Sequence, residues 1–486
     1  MGSTQFENQL SVYCLNALAT HKMKKTLLLF LLIYANVCFG QSTKYSAAQV
    51  QEDIQYLHQQ LKKHHPNLYV YASKAQLDST VAALIKEADH PMSEQELFAH
   101  MTRLSAIIKD GHTLFFPAST SLEHHNNQSL FFPFKVFYQS GKLYVELNCS
   151  LSEEIANGTE ILSINGLPAE QVIQFCLDRM MRDGHNLNYP IWILNQYFTE
   201  YYSYFYGHPS AFLLELKTSG GENRSVTVAA LPKAKIREIR AARFPNRLTA
   251  RGLNQEPGTG ILLKIDILRS IATLSIRDFD SDVLKTVYQQ DFKKTIGYLF
   301  AQIKQAQIKH LIIDLRGNQG GNLENGTFLL SQFLSEKFRV VEQFNVVKNP
   351  EAATEQERNV LKKGRGTQLN PPQAKPFLGP TYLLVDGGSF SNSGIVSSAF
   401  RHYQRGKIIG EETGGNKSVI CGWEEAVTLP HSKISVSIPT RQFLIRDRFK
   451  NDGHGVIPDF MVQPTIQKLA EGRDEVWDFT LNLIQK

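Results

Sequence analysis

The sequence predicts a multidomain α/β protein, and three observations carry that reading. Apolar residues recur at helical spacing from Ser46 to Lys109, the stretch from Phe131 to about Pro232 is strand-rich, and from Gly260 onward strands alternate with helices. At 486 residues the chain exceeds one ordinary domain, and a composition 42% hydrophobic and 20% charged is globular, so several cores are expected. The 52 basic residues outnumber the 46 acidic ones by a net +6, with no dominant run. That excess is too mild to make nucleic acid or an anionic membrane an expected partner.

Residues 1–40 read as an upstream extension and an export signal. Met23, Lys24 and Lys25 give a basic start, Thr26 to Tyr34 an apolar centre, and Cys38-Phe39-Gly40 a cleavage site before Gln41. Met23 is the expected biological start, and the expected location is periplasmic or extracellular. The apolar centre is too short for a comfortable span, so the mature chain is expected to carry no integral membrane segment. It would keep Cys149, Cys176 and Cys421, which make no disulfide framework but leave room for one bridge.

Residues 41–116 form the helical segment. Val50, Ile54, Leu57 and Leu61 share one face, Pro66 interrupts, and Leu77, Val81, Leu84 and Ile85 form a second stripe. Ser93 to Glu96 makes a capping box for a third helix through Leu97, Met101, Leu104 and Ile108, which runs out at Asp110-Gly111-His112-Thr113. Residues 131–232 hold strands at Leu143–Leu147 and in the run Gly158 to Pro168, whose Asn165-Gly166 pair reads as a hairpin turn. The Tyr- and Trp-rich stretch Asn186 to Pro209 is expected to line or cover this region. In residues 260–486, strands are expected at Ile271–Ile276, Leu311–Asp314 and Tyr382–Val385, a helix at Val283–Ile303, and a polar, exposed excursion at Lys348–Gln373.

Two turns of that last region stand out. After the apolar run Tyr382–Val385, Gly387 and Gly388 break the strand and a helix starts near Ser391, with Ile395, Val396, Ala399 and Phe400 on one face. Free amides and the helix dipole favour an anion there, which is what a serine attacking a carbonyl generates; the plainer reading of Ser391 is a helix cap. Beyond Leu311–Asp314, Gly317, Gly320 and Gly321 allow a turn that aims backbone amides into a cleft, and the turn lacks the lysine of a phosphate-binding loop.

Together these segments resemble the C-terminal processing, or tail-specific, serine proteases, in particular the tricorn-core-like branch. The resemblance rests on Asp314, Arg316, Asn318, Gly320 and Gly321; on Ser389, Ser391 and Ser393; on Gly410, Glu411, Thr413 and Gly415; and on Gly453, Gly455, Val456, Pro458 and Asp459. It implies an α/β protease core of the ClpP/crotonase-like kind, a PDZ-like peptide-binding domain over 131–232, a protein or peptide substrate, and neither cofactor nor metal. It also implies Ser391 as nucleophile, with the amides of Gly320 and Asn392 as oxyanion donors. For the base, Asn416 occupies the column where the Ser–Lys branch has lysine, and Lys417 falls one residue late. The Asp110-Gly111-His112-Thr113 segment resembles the histidine segment of the tricorn-like branch, so His112 is the expected base, above Lys417 and His454. A neutral imidazole, with a reference pKa near 6.5, accepts a proton at neutral pH without being buried. The acidic residue before the closing motif is Asp452. Two other readings stay open: an inactive scaffold that holds peptides or apolar ligands, suggested by Asn392 and Gly394 in the serine motif, and a serine hydrolase of another substrate class, against which stands the absence of a G-x-S-x-G motif at Ser391.

Overall fold

Serine caps start the N-terminal helices. In the computed structural model, which describes residues 44–119, 129–218, 220–245, 258–346, 367–445 and 451–485, helices α1 (Ala47–His64), α2 (Lys74–Glu87) and α3 (Glu94–Met101) each begin at a capping box. The pairs are Ser46 with Gln49, Ser73 with Gln76 and Ser93 with Glu96. Residues 1–40, read as extension and export signal, lie outside the described residues, as does the 348–366 part of the polar excursion. After α3 the chain tightens into a 3₁₀ turn (Thr102–Leu104) and one last helical turn (Ser105–Ile108), which Lys109 ends at φ 52°. Strand β1 (Leu114–Phe116) follows directly.

The middle region is an antiparallel sheet of β2 (Phe134–Gln139), β3 (Lys142–Asn148), β4 (Glu160–Ile164), β5 (Ala211–Lys217) and β6 (Asn223–Ala229), paired in that order. Asn165 at φ 50° and Gly166 at φ 81° make the hairpin turn after β4. Helices α4 (Ala169–Leu177) and α5 (Asn188–Tyr206) are inserted between β4 and β5. Leu57, Leu61, Leu97 and Phe98 share one apolar core with Phe132, Val145, Phe198 and Leu214, so the helical segment and the sheet are not separate packing units.

The Tyr- and Trp-rich stretch is therefore a helix, and it takes up the outer edge of β2. Thr199 Oγ1 donates to the Phe132 carbonyl at 3.1 Å, and Asn195 Oδ1 accepts the Tyr138 amide at 2.7 Å. Side chains of α5 thus hold backbone groups that an added peptide strand would use.

The C-terminal half contains β7 (Ile261–Asp266), β8 (Ile271–Ile276), α6 (Phe292–Gln305), β9 (His310–Asp314), α7 (Leu323–Ser331), β10 (Val341–Val346), β11 (Thr381–Val385), α8 (Asn392–His402), β12 (Lys407–Gly410), β13 (Val419–Thr428), β14 (Ser435–Ile445), β15 (Phe460–Met461) and α9 (Glu475–Gln485). One sheet runs β7-β8-β9-β11-β12-β15, parallel throughout except for the β7–β8 hairpin. Strand alternation gives it two buried faces. Leu311, Ile313, Leu383 and Val385 pack on α6, α7 and α8, while Ile312, Leu384 and Ile409 pack on Val476 of α9. A second sheet runs β10-β14-β13, and β1 joins it by pairing Phe115 with Val436, which anchors the strand following His112 in the C-terminal half.

One expected helix is broken. Instead of a continuous helix over Val283–Ile303, the chain forms Ser281–Val287 and then α6. The Gln290 side chain accepts the amides of Gly260 and Ile261 at 2.9 and 2.8 Å, and Asp291 caps the Lys294 amide at 2.9 Å. Those local bonds compete with helical continuation and win.

Candidate active site

Strands β9 and β11 are adjacent and parallel, so the turns leaving their C-terminal ends meet. The β11 turn puts Ser391 at the start of α8 with φ 50° and ψ −121°, and its side chain makes no capping bond. The plain capping role is thereby replaced: Ser391 Oγ lies 3.0 Å from Nε2 of His112. A non-glycine residue at that φ/ψ is strained, and such strain persists where packing over-determines the position. A strained serine between strand and helix is the geometry of a nucleophile elbow, reached here without the G-x-S-x-G sequence.

Packing holds both partners. His112 is buried, and its ring stacks on Phe390 at 4.7 Å, which in turn stacks on Tyr189 of α5 at 3.9 Å. Gly111 is wedged in this stack: a Cβ there would lie 2.7 Å from the Phe390 ring and 2.8 Å from Asp183 Oδ1. Ser389 and Ser393 serve the turn rather than the cleft. Ser389 Oγ donates to the Leu315 carbonyl at 2.9 Å and accepts the Asp386 amide at 3.1 Å, and Ser393 Oγ donates to Asn318 Oδ1 at 2.8 Å.

Beneath the serine, Asp386 ties three pieces together. Its Oδ1 accepts the amides of Gly317 and Gly388 at 2.8 and 2.9 Å, and its Oδ2 accepts Trp192 Nε1 at 3.1 Å. Burial pushes this carboxyl up to about 6. Arg316 is clamped between Asp314, at 2.8 Å, and Asp474, at 2.8 Å, which fixes the base of the β9 turn.

The two expected oxyanion donors differ. Asn392 is the first residue of α8, so its amide is among the helix-start donors without an intrahelical acceptor. Gly320, at φ 107°, lies against the serine, where a Cβ would be 2.7 Å from Ser391 Cβ. Its amide, however, donates to Asn318 Oδ1 at 2.9 Å. The expectation that this amide faces a free cleft is corrected: the asparagine side chain folds back in an Asx turn and takes it.

Asp452 also departs from expectation. Its Oδ2 pairs with Lys417 Nζ at 2.8 Å and its side chain is 51% exposed. Lys417 thus sets its ammonium on an acid, and Asn416 uses its Oδ1 to accept the amides of Ser418 and Val419 at 2.7 and 3.1 Å. His454 Nδ1 sits 3.1 Å from Glu412.

Sequence reasoning missed Asp183 and the α4–α5 loop that carries it. Asp183 is buried; its Oδ1 accepts the Gly111 amide at 2.8 Å and its Oδ2 the Asn416 amide at 3.2 Å. The next residues continue the stitching: the Gly184 amide donates to the Lys109 carbonyl, His185 to Gly453, and Asn186 Nδ2 to Thr413, at 2.9, 2.9 and 2.6 Å. A signal was present, because the tripeptide Asp-Gly-His occurs at 110–112, at 183–185 and at 452–454, and all three copies meet here.

Behind the His112 turn, His65, Asp110 and Cys421 bring possible metal-binding atoms within 4.8 Å of one another. His65 Nδ1 accepts the Asn67 amide at 3.2 Å, which leaves the ring proton on Nε2, facing Asp110 Oδ2 at 3.6 Å. The trio therefore reads as a polar contact rather than a ligand set. Burial raises the Asp110 carboxyl, but His65 and His112 outweigh it and hold the group below the ordinary range. Cys149, Cys176 and Cys421 are all free and buried, so the bridge that the sequence left open does not form.

Comparison with known proteins agrees with this architecture. Residues 270–462 match the profile of the family described as Peptidase family S41. A carboxy-terminal-processing protease of Bartonella bacilliformis (strain ATCC 35685 / KC583 / Herrer 020/F12,63) is 24% identical over 237 residues, 47% of this chain and half of the relative's length. The crystal structure of mature CPAF superposes with a TM-score of 0.65 at 14% identity, covering 90% of this chain and 96% of that one, and mature CPAF complexed with lactacystin gives 0.64 at the same identity, covering 90% and 98%. These structures share the fold of this chain. No described helix is long and apolar enough to cross a membrane.

Proposed function

From a chain that carries a Peptidase family S41 domain over residues 270–462, we propose a serine peptidase in which Ser391 is the nucleophile and His112 the general base. The observation that carries this reading is the 3.0 Å contact between Ser391 Oγ and His112 Nε2, made by a serine on strained backbone at a helix start. In the proposed reaction His112 takes the serine proton as Oγ attacks a peptide carbonyl. The Asn392 amide, backed by the positive end of α8, faces the oxyanion, and His112 then protonates the leaving amine. A water molecule, deprotonated in turn by His112, hydrolyses the acyl-enzyme.

The proposed substrates are unfolded or C-terminal segments of proteins, which can enter a cleft as extended chain. The basic and apolar run from Met23 to Gly40 supports a site of action outside the cytoplasm. The test is labelling with a serine-reactive fluorophosphonate, followed by peptide mapping and by digestion of an unfolded protein such as casein. Label on Ser391, with cleavage lost in Ser391→Ala, is expected. A folded parent protein that neither labels nor cleaves would leave the chain as a peptide-holding scaffold.

A further inference from the structure

We propose that Asp183 is the acidic positioning residue of the Ser391–His112 pair, in the place that the family resemblance assigns to Asp452. This inference rests on the peptidase reading above and adds a residue to it.

The need for such a group is visible at His112. Its Nε2 faces the serine, whereas Nδ1 is buried and has no hydrogen-bond partner among the described residues. When the ring takes up the serine proton, the positive charge forms in a site with little water, and a nearby fixed anion stabilises it. Asp452 is poorly placed for that, since one oxygen is on Lys417 and the other on the His454 amide at 3.1 Å, at a half-exposed position. Asp110 is near but committed: its Oδ1 accepts the His112 amide at 2.9 Å and the Thr113 hydroxyl at 3.3 Å, and its Oδ2 faces His65.

Asp183 holds the turn from outside it. Its 2.8 Å bond to the Gly111 amide sets the residue immediately before His112, and its 3.2 Å bond to the Asn416 amide ties that turn to the Gly-rich segment after β12. Each oxygen accepts one amide, so each retains a lone pair. The charged and titratable groups that interact with Asp183 are Asp110 and His112 on the turn it holds, Tyr71 after α1, Tyr189 on α5 and Cys421 on β13; His65 acts on Asp110 and Glu424 on Cys421. Burial pushes the Asp183 carboxyl up to about 6, with His112 opposing that rise, so a charged ring and a charged Asp183 favour each other.

The experiment compares the full-length parent with Asp183→Asn, Asp183→Glu and Asp452→Asn, measuring kcat, KM and the pH profile of kcat/KM on a fluorogenic peptide, with fluorophosphonate labelling alongside. Asp183→Asn should lower kcat about 10- to 100-fold with KM within about threefold, on the scale of lost support for a general base. It should also move the acid limb of kcat/KM to lower pH, because the imidazolium loses a neighbouring anion. Asp183→Glu, which keeps the charge, should keep the parent's acid limb, and Asp452→Asn should stay within about threefold of the parent. An active parent with an unshifted limb in Asp183→Asn overturns the inference and leaves the peptidase reading standing. If Asp183→Asn does not fold, the limb in Asp183→Glu decides: a shift there counts against the inference. A parent that neither cleaves nor labels fails earlier, at the peptidase reading itself, and takes the inference with it.

Discussion

The first and third Asp-Gly-His tripeptides have the same three side chains and opposite surroundings. At 110–112 the histidine is 6% exposed, stacked on Phe390 and aimed at Ser391; at 452–454 the histidine side chain is 42% exposed and paired with Glu412. The aspartates differ as well, since Asp110 is enclosed with His65 and Cys421 while Asp452 meets Lys417 at the surface. Chemistry here belongs to the environment rather than to the motif. What singles out the first copy is its position after a helix end fixed by Lys109 and before a strand pinned to β14.

The largest expected effect tests that contrast directly. His112→Ala should lower the rate of peptide hydrolysis by about 10²-fold or more, whereas His454→Ala should leave it within about twofold; steady-state kinetics on both variants decides, and a reversed order would break the comparison. Next comes Gly111→Ala. Its new Cβ would lie 2.7 Å from the Phe390 ring, so the turn must shift, costing about 1–3 kcal/mol of stability and at least about tenfold in rate, since the proposed base is moved from its partner. Denaturant melts and kinetics on the same sample would show whether both fall together.

A pH series sharpens the comparison between aspartates. Asp183 has its folded pKa raised to about 6 by burial, above the ~3.9 of an unfolded aspartate, so the folded state holds the proton longer. Its contribution to stability is therefore lost as pH rises from about 4 through 6. Asp452 shows the reverse: burial alone would raise its pKa, but the bond to Lys417 prevails and lowers it, so its contribution is present above ~3.9 and lost as pH falls. Melting temperatures relative to the parent should thus move up with pH for Asp183→Asn and down for Asp452→Asn; parallel trends would contradict the assignment. Little effect is expected from Lys417→Ala, within about threefold in rate, because its partner Asp452 is half exposed. A loss matching that of His112→Ala would make the lysine the base instead.

The parts legible in sequence were those written in local pattern. Apolar residues at helical spacing announced α1 and α2, a capping box announced α3, short apolar runs announced β9 and β11, and the Gly-rich turns pointed to Ser391. The meeting of residue 112 with residue 391 came only through family resemblance, because no local rule joins positions 279 apart. Asp183 had no family resemblance behind it, only the repeated Asp-Gly-His tripeptide: its partners are backbone amides of Gly111 and Asn416, and an amide carries no residue identity. The break before α6 failed for a related reason, since Gln290 is an ordinary helix former until the start of β7 offers it two amides. The Gly320 turn looks open in the sequence because the bond its amide donates to the Asn318 side chain is a matter of one rotamer.

The backbone of Ser391 carries a consequence for heat resistance. A residue other than glycine held at φ 50° and ψ −121° raises the energy of the folded chain by about 1–3 kcal/mol, and that energy is present in every molecule whether or not substrate is bound. Glycine would relieve it, so Ser391→Gly should melt at a higher temperature than the parent although it has lost the proposed nucleophile, while Ser391→Ala, which keeps the Cβ, should gain little. Selection for durability alone would therefore act against the serine.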